Sequence, residues 1–230
     1  MENNFSEKEK LSTLVTRYPG ILLLLSHFNI PLGFGEKTVE QVCQQHGIDS
    51  RLFLLIANVY IGENYLPSLE TLHATPIDKL ILYFKRSHAY YLEKRLPHIG
   101  SHLEKIALLL PERASRGVLL FYKQYMAEVK AHFEHEERDV FPHVERLLRG
   151  ESDKGFSMSR FIDLHGNLED TLSDLAQLIF KYMPGGEADD DTIDMIFDIL
   201  QLAHDLHKHS IIEEKIMVPY IEHFERSAKS

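Results

Sequence analysis

His132-Phe133-Glu134-His135-Glu136-Glu137-Arg138-Asp139-Val140-Phe141-Pro142 returns in altered form as His209-Ser210-Ile211-Ile212-Glu213-Glu214-Lys215-Ile216-Met217-Val218-Pro219. In both stretches a histidine is followed four residues later by a pair of glutamates, and a proline stands ten residues after the histidine. The second copy lies 77 residues after the first, and the same offset carries His88 onto His165 and Phe84 onto Phe161. Two similar halves are implied, each with a lone histidine 44 residues ahead of its His–Glu pair.

On a helix of 3.6 residues per turn, positions i and i+4 are about 40° apart, so His132 with Glu136, and His209 with Glu213, each face one way. One such pair is common on exposed acidic helices. Two copies at a fixed offset point instead to a metal site built from His88, His132, Glu136, His165, His209 and Glu213. Imidazole and carboxylate donors without sulfur suit iron, manganese or zinc. The symmetric set suits two ions, with two histidines to each and both glutamates as bridges. Glu137 and Glu214 also repeat, but at i+5 they turn about 140° away and are read as solvated. Glu128 and Asp205, one turn before His132 and His209, are read as inward acids able to orient ligand histidines.

The spacing between these motifs predicts an all-α chain. Thr75-Pro76 opens helix A through Leu80, Phe84 and His88, with Pro97 expected to kink it. Helix B covers about 115–148, helix C roughly 157–182, and helix D runs from Ile193 past Pro219. Pro142 and Pro219 each remove a helical hydrogen bond and should bend helices B and D. Four long helices with short connections make an up-down-up-down four-helix bundle over residues 72–226, holding a cofactor by side chains that point inward. Ahead of it, residues 1–62 read as a small helical N-terminal domain. There Thr38-Val39-Glu40-Gln41 has the form of a capping box, and Asp49 or Ser50 starts a further helix.

Charge and cysteine content narrow the function. Lys and Arg total 25 against 35 for Asp and Glu, a net charge of −10, which disfavours nucleic acid as a partner and a DNA-reading role for the N-terminal helices. Cys43 is the only cysteine, so an internal disulfide, a CxxC pair and a thiolate-rich metal site are excluded and a reducing cytoplasm fits. The apolar run Ile21–Leu25 is far shorter than the roughly 20 residues that span a bilayer, so no membrane association is expected.

At the paired His-x-x-x-Glu motifs the chain resembles the haemerythrin-like di-iron bundles, and more narrowly the RIC family of iron-sulfur cluster repair proteins. Oxygen-carrying haemerythrins use His-x-x-x-His and a bridging Asp in the second half, whereas here His209 is followed by Glu213. The resemblance covers about residues 75–225, with a weaker extension over 18–48. It implies two iron ions in a carboxylate-bridged centre, small diatomic ligands such as NO and O2, damaged iron-sulfur proteins as partners, and a role in nitrosative or oxidative stress. A homodimer is compatible with it. An O2, NO or iron sensor, or an interaction module, is the alternative from another class. A di-metal oxidase would need Glu-x-x-His spacing, which this site lacks. No catalytic residue is assigned. Family members place a Cys-Cys-Gly-Gly type motif near what is here Leu32-Gly33-Phe34-Gly35, and this chain has no cysteine there.

Overall fold

The computed structural model describes residues 5–62, 65–151, 168–183 and 190–227. Its helices are α1 (Leu11–Arg17), α2 (Ile21–His27), α3 (Val39–Gln45), α4 (Ser50–Ile61), α5 (Leu69–His73), α6 (Ile77–Tyr90), α7 (Leu96–Ala107), α8 (Glu112–His135), α9 (Phe141–Leu148), α10 (Leu168–Tyr182), α11 (Asp190–Ile212) and α12 (Val218–Ser227). The fold is an all-α helical bundle, and no strand is present among the described residues. Helix A is α6 with α7, helix B is α8 with α9, helix C is α10 and helix D is α11 with α12. The predicted start of helix C, near Ser157, and its stop at Pro184-Gly185-Gly186 lie outside the described residues.

Helices A, B and D do not simply bend at their prolines. Each contains a five-residue π turn: π1 (Tyr91–Arg95), π2 (Glu136–Val140) and π3 (Glu213–Met217). Each turn ends two residues before a proline, at Pro97, Pro142 and Pro219 respectively. Proline has no N–H, and its ring would strike the carbonyl four residues back in a regular α-helix. Widening the turn relieves that conflict: Leu96 N–H reaches the Tyr91 carbonyl and Val218 N–H reaches the Glu213 carbonyl, five residues back instead of four. Helix C has Asp174 where the offset from Pro97 would place a proline, and α10 is regular. The glutamates of the repeat, Glu136 and Glu213, are the first residues of π2 and π3.

The chain forms two compact units. One collects the described residues of 5–88, 139–151 and 208–227; the other collects those of 89–138, 168–183 and 190–207. In the first, the N-terminal helices share one apolar core with later segments: Leu14, Phe53, Ile56 and Val59 belong to the same buried cluster as Phe84, Phe141, Ile216 and Met217. An aromatic series runs through it, from Phe53 to Phe28 (5.3 Å between ring centres), Phe28 to Tyr83 (4.9 Å), Tyr83 to Phe84 (5.4 Å) and Phe84 to Phe141 (6.0 Å). Local signals set the ends of these helices. Thr38 and Gln41 close the predicted capping box at α3, and Asp49 caps α4 through the Arg51 and Leu52 amides.

The second unit has its own core, with Ile99 and Leu103 of α7, Tyr125, Val129 and Phe133 of α8, Leu175 and Ile179 of α10, and Ile199 and Leu206 of α11. Gly100 lets α7 approach α8 closely, since a β-carbon there would stand 3.2 Å from the Tyr122 ring. The Tyr122 hydroxyl donates to the Leu96 carbonyl at 2.7 Å, just ahead of Pro97. No helix among the described residues is long and apolar enough to cross a membrane.

Candidate metal centre

Within the first unit, three of the predicted ligands meet. His88, near the end of α6, and His209, near the end of α11, are both buried, and Glu213 at the start of π3 is wholly so. Their donor atoms lie within 4.8 Å of one another. His209 Nε2 is 3.0 Å from Glu213 Oε1, the one-turn contact that the His-x-x-x-Glu spacing predicts. The His88 ring stacks on Phe141 at 5.7 Å and stands 5.2 Å from the His209 ring, which meets the Phe84 ring nearly at right angles at 5.1 Å. Phe141 and Phe84 thus give the two histidines aromatic neighbours.

The tautomer of His209 follows from its neighbour. Ser87 Oγ donates its only proton to the Phe84 carbonyl at 2.8 Å, so its 3.2 Å contact with His209 Nδ1 requires that nitrogen to carry the proton. The Nε2 lone pair is then directed to the side where Glu213 lies. Ser87 carries no signal in the sequence, because its counterpart at the 77-residue offset is Leu164.

In the second unit, the first copy of the motif makes the same contact. His132 Nε2 is 3.2 Å from Glu136 Oε1; the carboxylate is fully buried, and the histidine side chain is 16 % exposed. His165 lies outside the described residues. Glu137 and Glu214 are exposed, as their turn away from the motif face predicts. The inward reading of the two repeated acids holds for only one of them. Asp205 is buried, and its carbonyl accepts from the Tyr91 hydroxyl at 3.4 Å, whereas Glu128 is exposed because Tyr125 and Val129 take the core face of α8. His143, which the repeat pairs with Tyr220, is buried on α9 and carried no metal signal in the sequence.

The donors suit a metal ion. A wholly buried carboxylate is costly unless a positive charge lies beside it, and Glu136 and Glu213 each place an oxygen against an imidazole nitrogen at hydrogen-bond distance. An imidazole nitrogen and a carboxylate oxygen bound to one ion each lie about 2.0–2.2 Å from it, which brings them to roughly this mutual spacing.

A family model described as Hemerythrin HHE cation binding domain matches residues 91–221, more than half of the chain. The chain belongs to the haemerythrin HHE cation-binding family. The haemerythrin match takes in His132, Glu136, His165, His209 and Glu213 and begins three residues after His88. With the buried group of histidines and glutamate, it makes this a metal-binding protein of haemerythrin type. A comparison with curated proteins gives no match.

Proposed function

We propose that this haemerythrin-family protein holds two iron ions through His88, His132, Glu136, His165, His209 and Glu213, and that it binds NO or O2 there in a response to nitrosative or oxidative stress. The observation that carries the reading is the duplicated His–Glu contact: two wholly buried carboxylates, each against a histidine one helical turn earlier, at 3.2 and 3.0 Å. Two carboxylates offer four oxygens, enough to serve two ions and offset much of their charge. Ferrous iron bound by these residues would supply the electron density that a diatomic ligand needs. The protein's own side chains do the rest. Ser87 keeps the His209 proton on Nδ1, and Phe84 and Phe141 line the histidines with apolar surface that disfavours water.

Cys43 favours ligand binding over thiol-dependent iron donation. It is buried in α3, and burial first, then the nearby Asp49 and Glu7 carboxylates, push its thiol up to about 12. A thiol so protonated is a poor metal ligand and nucleophile. With no cysteine at Leu32–Gly35, the chain offers no thiolate to pass iron to an acceptor cluster.

The test titrates the reduced, iron-loaded protein with NO and then O2 under anaerobic conditions and follows absorbance. A ligand-dependent band is expected in the wild type and absent in Glu136→Ala and Glu213→Ala. In parallel, reactivation of an apo iron-sulfur enzyme is compared between wild type and Cys43→Ser. No ligand-dependent band, together with efficient reactivation in both proteins, would replace the ligand-binding reading with cluster repair that needs no thiol.

A further inference from the structure

A second group of ligand-type side chains stands on the surface of the second unit. His98 and His102 are one turn apart on α7, and their ring centres are 4.3 Å from each other. Asp198 of α11 reaches the same place: its Oδ2 is 3.2 Å from His98 Nε2, and one donor atom from each of the three residues falls within 4.8 Å of the others. We propose that His98, His102 and Asp198 form a second cation site, for zinc or a similar divalent transition ion, which ties α7 to α11.

The chemistry of the three residues carries this. Two imidazoles and one carboxylate are a donor set for zinc, copper or nickel and a poor one for magnesium or calcium, which favour oxygen. Ligand atoms around a tetrahedral zinc ion, each about 2.0–2.2 Å from the metal, are roughly 3.3 Å apart, close to the His98–Asp198 distance. His102 closes the remaining gap by a side-chain rotation, which its partly exposed position permits.

Arg95 fixes the carboxylate. Its Nη2 donates to Asp198 Oδ1 at 3.2 Å and to Gln201 Oε1 at 3.2 Å, and lies 3.4 Å from the Asp198 carbonyl, leaving Oδ2 for the histidines. A ligand carboxylate held by a further hydrogen bond is a common feature of metal sites. The guanidinium also sets a positive charge near the ion, so this site is expected to be weaker than the buried centre. Three protein ligands leave a coordination position for water. An His98–Asp198 ion pair without metal is the competing use of the same contact.

The experiment titrates the full, iron-loaded protein with zinc at neutral pH, following heat and zinc content while iron content is monitored. One further zinc per chain is expected without loss of iron. The double variant His98→Ala/His102→Ala and the single variant Asp198→Asn should each weaken that binding by ten-fold or more and keep the wild-type iron content. Zinc should raise the melting temperature of the wild type and leave that of the double variant unmoved. Copper should bind more tightly than zinc, in the usual order for nitrogen and oxygen sites. Equal zinc affinity in wild type and double variant, or zinc uptake only in exchange for iron, would overturn the site. A wild-type melting temperature unmoved by zinc would overturn it too and assign the residues to an ion pair instead.

Discussion

Replacing Ser87 by alanine should weaken metal binding while leaving the metal-free fold nearly as stable. Ser87 is fully buried, accepts from His209 Nδ1 at 3.2 Å and donates to the Phe84 carbonyl at 2.8 Å. Without metal, the variant can move the His209 proton to Nε2 and donate it to Glu213 Oε1, 3.0 Å away, so little is lost. With metal, Nε2 must be the donor atom, the proton must stay on Nδ1, and no hydroxyl remains to receive it. Removing the acceptor of a buried donor costs about 1–3 kcal/mol, and the cost falls on the loaded state alone. At about 1.4 kcal/mol per factor of ten, the affinity falls roughly 5- to 150-fold. Iron retention against a competing chelator measures this, with urea unfolding of the apoprotein as the control. Ser87→Thr should keep the affinity, although its extra methyl in a packed site costs about 1–3 kcal/mol of stability. Affinity within two-fold of wild type in Ser87→Ala would refute the assigned tautomer.

Alkaline unfolding should report on Tyr122, whose phenol is pushed above its ordinary range by burial, against the opposing pull of Arg95. The unfolded tyrosine ionises near pH 10 and the folded one keeps its proton, so this stabilisation is whole below about pH 10 and is lost above it; Tyr122→Phe should flatten that limb of the stability profile. Cys43, at about 12, should carry roughly one thiolate in ten thousand at pH 8 and react with a thiol reagent only on unfolding; rapid reaction of the native protein would show the helix α3 packing to be open. Residues 71–230 expressed alone should unfold at lower urea than the full chain, because Phe28, Phe53 and Val59 share the core of Tyr83, Phe84 and Phe141; equal midpoints would show that the N-terminal helices give the bundle no support.

The repeat made the outline of this molecule legible. Period and capping residues placed the helices, and the His-x-x-x-Glu spacing placed each histidine against its glutamate, because both signals are local to one helix. The Thr38 and Asp49 caps were legible for the same reason. Pro97, Pro142 and Pro219 announced a break, but the choice between a bend and a π turn is made by the helix ladder as a whole, and that choice put Glu136 and Glu213 at the openings of π2 and π3. What escaped the sequence depends on contacts between helices. Ser87 meets His209 from 122 residues away and Asp198 meets His98 from another helix, while the 77-residue offset pairs Ser87 with Leu164 and His98 with Leu175, so the repeat signals neither contact. Glu128 and Asp205 occupy equivalent positions in the repeat, yet the first is exposed and the second buried, since packing around each helix differs where the two halves have diverged.

Metal content tests the central claim most directly. Purified protein loaded anaerobically with ferrous iron and freed of excess should hold two irons per chain by elemental analysis, and both should be lost when Glu136→Ala and Glu213→Ala are combined. Retention of both irons in that double variant, or a wild-type content that never exceeds one, would contradict a centre built on the duplicated His–Glu pairs.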